Sequence, residues 1–240
     1  RQLLKTWTEQ SCNTQTMTIV RPRSRSRKPQ PQKEQAMEQR SEEWYEIRRG
    51  KFTASNIHKL MGVKGLGKTG LTYIDEVVAD MLSDESEDER FENKAMRWGA
   101  DWEPVAAAWY AKAFSKELEE RGFVLYSKDA GASPDRLIVD EKKGIEIKCP
   151  FNRANHLKHL KLNDASELKA ECPEYYWQIM FNILCLDYES WDFVSFDPRY
   201  REDLKLFALE IKRNDEDCKL LEQRLVEAIE IKNNILKTIV

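Results

Sequence analysis

Apolar and charged residues alternate in two short segments near the middle of the chain. The segments Arg136-Leu137-Ile138-Val139 and Ile145-Glu146-Ile147-Lys148 lie on either side of the polar sequence Asp140-Glu141-Lys142-Lys143-Gly144. Two such runs around a short polar turn predict a β-hairpin. Because successive side chains of a strand point to opposite faces, the glutamate and the lysine of the second segment should share one face. Its two isoleucines should then face the core.

Elsewhere, apolar residues recur mostly at intervals of three or four, the spacing of a helix with one buried face. Two further segments have the apolar character of strands. This mixture favours an α/β fold, with a central mixed sheet and helices on both sides of it. The first predicted helix follows a cap at Ser41, and further helices are predicted at 53–61, 71–82, 104–114 with Pro104 in the first turn, 175–186 and from 215 onward. The two further strands are predicted at 191–197 and 204–213.

The size of the chain favours one domain. Its 240 residues, 41% of them hydrophobic, can bury one substantial core, which we assign to residues 41–240. No apolar run approaches the roughly 20 residues that span a bilayer, and the amino terminus lacks a secretory signal. We therefore expect a cytoplasmic protein with no membrane contact. The five cysteines are an odd number at wide spacings, so we expect reduced thiols and no zinc or iron-sulfur site.

Charge is distributed unevenly along the chain. Residues 1–40 contain nine Lys and Arg and three Glu, a balance of +6, so the remainder carries −9 of the overall −3. The sequence Arg21-Pro22-Arg23-Ser24-Arg25-Ser26-Arg27-Lys28 has no apolar period and predicts a disordered basic arm over 1–40. Such an arm can tether a protein to nucleic acid through phosphate contacts. The alternative is a solvated tail without a partner.

The predicted hairpin also concentrates groups that can carry chemistry. Asp135 enters the first strand after Ser133-Pro134, eleven residues before Glu146, and the hairpin should return Glu146 and Lys148 toward it. Two neighbouring carboxylates can hold Mg²⁺ or Mn²⁺, and a nearby lysine can orient water or stabilise a phosphoryl transition state. The alternative is a surface hairpin with ordinary salt bridges.

The same residues carry a resemblance to a known family. Ser133-Pro134-Asp135 followed by Glu146-Ile147-Lys148-Cys149-Pro150-Phe151 resembles the PD-(D/E)xK nuclease superfamily, and within it the viral recombinases of the phage lambda exonuclease type. Trp44-x-x-x-Arg48-x-Gly50-x-x-Thr53-Ala54-Ser55 is similar to the amino-terminal signature of that family. The resemblance implies a restriction-endonuclease-like core over nearly all of the chain beyond residue 40.

The resemblance also implies a metal centre. Trp98-Gly99-x-x-x-Glu103 matches the position at which the family supplies a glutamate from a helix. By the resemblance, two Mg²⁺ ions, or Mn²⁺ in their place, would be held by Glu103, Asp135, Glu146 and the carbonyl of Ile147. Lys148 would lie beside the attacking water. The alternative for Glu103 is a solvated side chain in an acidic neighbourhood.

A second set of residues is implied to bind the 5′ phosphate of a DNA end. The set is Arg48, Ser55, Ser133 and Gln178, with Trp44 and Tyr175 in support. An arginine fork and a helix start are both suited to phosphate, in agreement with this role. The family commonly has a tyrosine three residues after the glutamine, whereas this chain has Phe181, which leaves any role of that position in doubt. The alternative for Gln178 is a buried amide satisfied by the backbone.

Together, the motifs and the resemblance imply a Mg²⁺-dependent 5′ to 3′ exonuclease on linear double-stranded DNA, leaving 3′ single strands for phage-type recombination. Polarity, a homotrimeric ring, a single-strand annealing partner and a phage or prophage host are implied by the resemblance alone. A structure-selective or restriction-type endonuclease would share the same catalytic core. A DNA-binding protein with a decayed site is the non-enzymatic alternative, but the intact Asp135, Glu146 and Lys148 argue against it.

The segment Gly62-Val63-Lys64-Gly65-Leu66-Gly67-Lys68-Thr69 matches the phosphate-loop pattern G-x-x-x-x-G-K-[ST]. A functional loop of that kind must follow a buried strand. Here the preceding residues predict a helix, so the sequence favours a glycine loop whose two lysines can contact DNA phosphates over an ATP site.

Overall fold

The fold was analysed in a computed structural model that describes Gln39 and residues 41–83 and 93–239. The predicted basic arm over 1–40, apart from Gln39, lies outside the described residues, as does Cys12. Cys149, Cys172, Cys185 and Cys218 are free thiols, as expected for these four.

A five-stranded mixed sheet forms the centre of the molecule. Its strands lie in the order β2, β5, β6, β7, β8, and β6 and β7 are parallel while the other neighbours are antiparallel. The predicted mixed sheet is therefore confirmed, with the hairpin β5–β6 inside it rather than at the surface. The strands are β2 (Leu118–Glu119), β5 (Arg136–Ile138), β6 (Lys143–Lys148), β7 (Ser190–Phe196) and β8 (Leu206–Lys212).

A close approach of β6 and β7 explains the glycine at the start of the hairpin's second strand. A Cβ added to Gly144 would lie 2.4 Å from carbon atoms of the Trp191 indole on β7. Such a distance is well inside van der Waals contact, so only glycine fits here.

A second, three-stranded sheet was not predicted. It consists of β1 (Phe52–Thr53), β3 (Val124–Ser127) and β4 (Ala130–Ala132), with β4 in the middle. Strands of two to four residues are too short to display a period of two. The pairing of β1 with β4 also depends on contacts between residues far apart in the chain, such as Phe52 with Ala130.

Most of the predicted helices are present, with some changes at their starts. Ser41 caps the first helix by accepting a hydrogen bond from the backbone N–H of Trp44, as predicted. The segment predicted as a helix at 53–61 is a 3₁₀ helix, Ala54–Leu60. The α-helices are α1 (Glu42–Arg48), α2 (Gly67–Leu82), α3 (Lys94–Phe114), α4 (Arg153–His159), α5 (Ala165–Glu171), α6 (Pro173–Leu186) and α7 (Asp215–Ile239).

The predicted place of Pro104 in a first helical turn is wrong. Asn93 caps α3 by accepting hydrogen bonds from the N–H groups of Ala95 and Met96, so the helix starts earlier and Pro104 lies in its interior. Proline there has no N–H to donate to the carbonyl of Ala100. The sequence signal was ambiguous because proline is favoured in a first turn, and the earlier cap settles the start.

The glycine loop leads into α2, but the residues directly before the loop form a 3₁₀ helix and no strand. Residues 54–66 consist of the 3₁₀ helix and turns. Gly67, Lys68 and Thr69 form the first residues of α2. The local structure thus lacks the strand that a phosphate-binding loop requires.

Two helices cover opposite faces of β6. Ile145 and Ile147 pack with Ala106 and Tyr110 of α3, as the alternation predicted. The other face of the sheet packs against α6, whose Ile179, Met180 and Ile183 are fully buried. The side chains of Glu146 and Lys148 lie on this second face, beneath a helix. No helix in the described ranges has an apolar run long enough to cross a membrane.

Candidate active site

Asp135 is held against the second strand of the hairpin. Its Oδ2 accepts a hydrogen bond of 2.6 Å from the backbone N–H of Ile147, between the two charged residues of β6. The hairpin therefore brings Asp135, Glu146 and Lys148 together, as the spacing predicted. Burial and the nearby negative charge of Glu146 raise the pKa of Asp135 to about 7. The side-chain amide of Gln39 donates to the carbonyl of Pro134, directly before Asp135, at 2.8 Å.

Glu146 is a buried carboxylate with donors on both oxygens. Its side chain is almost completely buried. Lys148 Nζ donates to Oε1 at 2.7 Å and Asn182 Nδ2 donates to Oε2 at 3.2 Å. Burial raises the pKa of Glu146 despite the opposing effect of the Lys148 charge. The surface hairpin considered as an alternative is excluded, because an ordinary surface salt bridge is not buried in this way.

Lys148 is a protonated cation with three neighbours. Besides Glu146, its Nζ donates to Oε1 of Gln178 at 3.2 Å and lies 4.9 Å from the ring centre of Tyr175. Burial alone lowers the pKa of Lys148, but the charges of Glu146 and Asp135 outweigh burial and raise it above its usual value. A lysine that keeps its proton at neutral pH cannot act as a base. It can stabilise negative charge or orient a water molecule.

Glu103 lies on α3 and forms an ion pair with a residue that the sequence reasoning missed. Arg136 Nη1 is 3.2 Å from Glu103 Oε1, and Arg136 Nη2 is 2.9 Å from Glu120. The charge of Glu103 also contributes to the raised pKa of Glu146. Nothing in the sequence around Arg136, the residue after Asp135, indicates that it pairs with Glu103.

The oxygen atoms of this centre fit a hard divalent cation. Asp135 and Glu146 are close enough for each other's charge to matter, and a cation between them would offset their repulsion. Within the described ranges, no group of three or more His, Cys, Asp or Glu side chains is preassembled for a metal ion. The fit therefore rests on the pair Asp135 and Glu146, and Glu103 would have to exchange its contact with Arg136 to join them.

Trp44, Arg48 and Ser133 form a second group beside the hairpin. Trp44 Nε1 donates to Ser133 Oγ at 2.9 Å, and Arg48 Nη1 lies 3.5 Å from the same oxygen. The Arg48 guanidinium carbon stacks 3.8 Å from the Trp44 ring centre. Since Ser133 precedes Asp135 by two residues, this group adjoins the carboxylates. The structure thus brings together three of the residues that the sequence analysis connected with a DNA end.

Ser55 lies at the start of the 3₁₀ helix. It is exposed, and its Oγ is 3.4 Å from Oγ1 of Thr53. Thr53 in turn borders a cavity of about 100 Å³ next to Arg48. The cavity is lined by Arg48, Lys51, Thr53, Asn56, Tyr73, Glu76, Val77 and Asp80.

Gln178 and Tyr175 lie on α6 above the charged face of β6. Gln178 is mostly buried, and its amide oxygen accepts from the side chain of Lys148 rather than from the backbone, contrary to the alternative above. Tyr175 stacks on Phe193 of β7. Phe181, at the position where the family commonly has a tyrosine, is fully buried in the core.

Asn182 is a second residue of the site, after Arg136, that the sequence analysis missed. It donates to Glu146 and is fully buried. The sequence contained a signal for this residue, because Asn182 is a polar amide within the apolar run Ile179-Met180-Phe181-Asn182-Ile183-Leu184. It also lies four residues after Gln178 and therefore on the same face of the helix.

Two buried histidines lie behind Lys148. Ser195, which pairs with Lys148 across β6 and β7, has its Oγ 2.8 Å from Nδ1 of His156 and 2.7 Å from Nδ1 of His159. Burial, together with the proximity of His156 and Lys148, lowers the pKa of His159 to about 4. His159 is therefore neutral and adds no charge beside Lys148.

Comparisons with known proteins found a family model and several solved structures that the chain resembles. The sequence matches the model of the YqaJ-like viral recombinase domain over residues 43–189, a range that contains every candidate site residue. No curated protein matches the chain. An alkaline exonuclease from Laribacter hongkongensis is 28% identical, with a TM-score of 0.72 over 83% of this chain and 96% of that chain. Its complex with dAMP matches over the same shares, with 28% identity and a TM-score of 0.73.

A more distant match shows likeness of fold alone. A phage-related exonuclease from Haemophilus somnus is 16% identical, with a TM-score of 0.65 over 82% of this chain and 99% of that chain. The matched range again extends over most of the described chain, which supports a restriction-endonuclease-like architecture.

Proposed function

Because the chain belongs to the YqaJ-like viral recombinase family, we propose that it is a phage-type exonuclease that digests linear double-stranded DNA from the 5′ end. The 3′ single strand left behind would serve homologous recombination. The observation that carries the proposal is that Asp135, Glu146 and Lys148 meet at the hairpin, with the carboxylate of Glu146 buried. The match to an alkaline exonuclease over 83% of the chain supports nuclease chemistry at this face.

The cofactor of this reaction would be Mg²⁺, or Mn²⁺ in its place, with two ions per site. Asp135, Glu146, Glu103 and the carbonyl of Ile147 would hold the ions. When bound, Mg²⁺ supplies a Lewis acid that activates water and offsets negative charge on the phosphate. The raised pKa values of Asp135 and Glu146 support a cation here, since both carboxylates carry an electrostatic cost without one.

Lys148 would stabilise the negative charge that develops on the scissile phosphate. Its ammonium is protonated, and Glu146 and Gln178 hold it in one orientation. A preorganised cation in a site of low polarity stabilises a transition state more than a solvated cation does. Tyr175 limits the space around the ammonium from above.

Arg48 and Ser133 would bind the 5′ phosphate, with Ser55 and Gln178 as further donors. Stacking on Trp44 holds the Arg48 guanidinium plane beside Ser133. A planar guanidinium binds phosphate oxygens in pairs, which suits a terminal phosphate. This group distinguishes an exonuclease from an endonuclease with the same catalytic core. A trimeric ring of the chain and a single-strand annealing partner complete the proposal, and both come from the family resemblance.

A comparison of DNA forms tests the proposed activity. With Mg²⁺, we expect the protein to digest linear 5′-phosphorylated duplex and to leave covalently closed circular DNA intact. Release of nucleotides and gel mobility report the two substrates. Loss of both at comparable rates would favour the endonuclease, and binding without cleavage of either would favour the inactive DNA-binding protein.

Arg48→Ala is expected to reduce the preference for a 5′ phosphate over a 5′ hydroxyl by roughly tenfold or more. A hydrogen bond to a charged group contributes about 1.5–3 kcal/mol, and the variant removes such donors from the phosphate. The measurement is the ratio of initial rates on the two duplexes. Arg49→Ala is the matched control, since Arg49 pairs with Glu46 on α1. An unchanged ratio in Arg48→Ala would remove Arg48 from the end pocket.

A further inference from the structure

Helix α6 presents two amides to the two charges of β6. Gln178 and Asn182 are four residues apart, so they lie on one face of the helix, and Glu146 and Lys148 are two apart on one face of the strand. One amide accepts a hydrogen bond and the other donates one. Gln178 accepts from the ammonium at 3.2 Å, whereas Asn182 donates to the carboxylate at 3.2 Å. The helix thus places a hydrogen-bond acceptor at the positive charge of Lys148 and a donor at the negative charge of Glu146.

Asn182 has no other evident structural use for its amide. The residue is fully buried, and within the part of the chain that the structure describes its Oδ1 has no hydrogen-bond partner. A buried polar atom without a partner opposes folding. An apolar side chain of the same size would avoid that cost. What Asn182 provides is therefore the hydrogen bond from Nδ2 to Glu146.

We propose that Asn182 is a positioning residue that fixes the carboxylate of Glu146 in the orientation needed to bind a divalent cation. Lys148 holds Oε1 and Asn182 holds Oε2, so the carboxyl group cannot rotate. Each carboxylate oxygen has two acceptor sites, so each keeps one for a cation. Hydrogen-bond partners of metal ligands typically contribute 10- to 100-fold to metal affinity. The inference rests on the proposed function, which makes Glu146 a metal ligand.

Calorimetric titration of Mn²⁺ into the DNA-free protein tests this role. We expect Asn182→Leu, which keeps the approximate size and removes the donor, to weaken Mn²⁺ binding about tenfold or more. The rise in unfolding temperature that Mn²⁺ causes should shrink with it. The control is Ile183→Val, a change at the adjacent, fully buried core position of α6. It should lower stability while leaving Mn²⁺ affinity at the parental value.

The outcomes distinguish a failure of the positioning role of Asn182 from a failure of the proposed metal centre. Parental Mn²⁺ affinity in Asn182→Leu would overturn the positioning role alone, and so would an equal loss in Ile183→Val. Absence of Mn²⁺ binding by the parental protein would contradict the proposed metal centre and the positioning role with it. Should Asn182→Leu fail to fold, Asn182→Ala removes the same donor without steric demand, and the same comparison applies.

Discussion

Lys148→Ala is expected to reduce cleavage of linear duplex DNA by about a hundredfold or more while the protein remains folded. Loss of one preorganised donor to a developing negative charge typically costs about 10²–10³ in rate. The variant also leaves the buried Glu146 without its 2.7 Å partner, which raises its pKa further. The measurement is the initial rate of nucleotide release with Mg²⁺. Circular dichroism of the parental protein and of Lys148→Ala checks that the variant is folded.

Lys142→Ala is the matched control for this loss. Lys142 lies in the exposed turn of the same hairpin, six residues from Lys148. Removing its charge changes the net charge equally but leaves the site intact, so the rate should stay near the parental value. Digestion by Lys148→Ala at the parental rate would show that the catalytic site lies elsewhere.

Asp135→Asn is expected to abolish most activity and, at pH 8 without divalent cations, to stabilise the protein by on the order of 2 kcal/mol. One unit of pKa shift corresponds to about 1.4 kcal/mol, and Asp135 keeps some surface in solvent, which reduces the full effect. Asparagine removes the charge yet retains an oxygen that can accept from the N–H of Ile147. Activity should fall because the proposed cation loses a carboxylate ligand.

The sign of this pH dependence of stability follows from proton binding to Asp135. Since the pKa of Asp135 is raised from 3.8 to about 7, the native state binds its proton more tightly than the unfolded state does. The contribution of Asp135 to stability therefore declines as the pH rises from about 4 to about 7 and stays low above that. Asp135→Asn lacks this decline, so the two proteins should differ more at pH 8 than at pH 4.

Urea unfolding in EDTA at pH 4 and pH 8 checks this expectation. Asp140→Asn is the control, because Asp140 is an exposed carboxylate in the hairpin turn with φ 62°, a conformation that asparagine tolerates. Adding Mg²⁺ at pH 8 should stabilise the parental protein and not Asp135→Asn. If Asp135→Asn is less stable than the parental protein at pH 8, burial and the charge of Glu146 do not destabilise the ionised Asp135.

The local features of the fold were predictable where the chain carries a clear period. The alternation in Ile145-Glu146-Ile147-Lys148 predicted both the strand and its faces, and Ser41 marked the start of α1. The short strands β1 and β4 were not predictable, because two or three residues contain no period. The start of α3 was not predictable from Pro104, because proline is favoured in a first helical turn and also occurs inside this helix.

The candidate site likewise combines features that the sequence predicts with features that it does not. By itself, the sequence determined which charged side chains share a face, since strand geometry places Glu146 and Lys148 on one face whatever surrounds them. Only the tertiary structure decided that α6 covers this face, that Gln178 contacts Lys148 and that Asn182 contacts Glu146. These contacts join residues 30 and 36 positions apart, and no local rule specifies such pairs. Burial beneath α6 is also what raises the pKa of Glu146, so its protonation energetics are a property of packing and not of the motif.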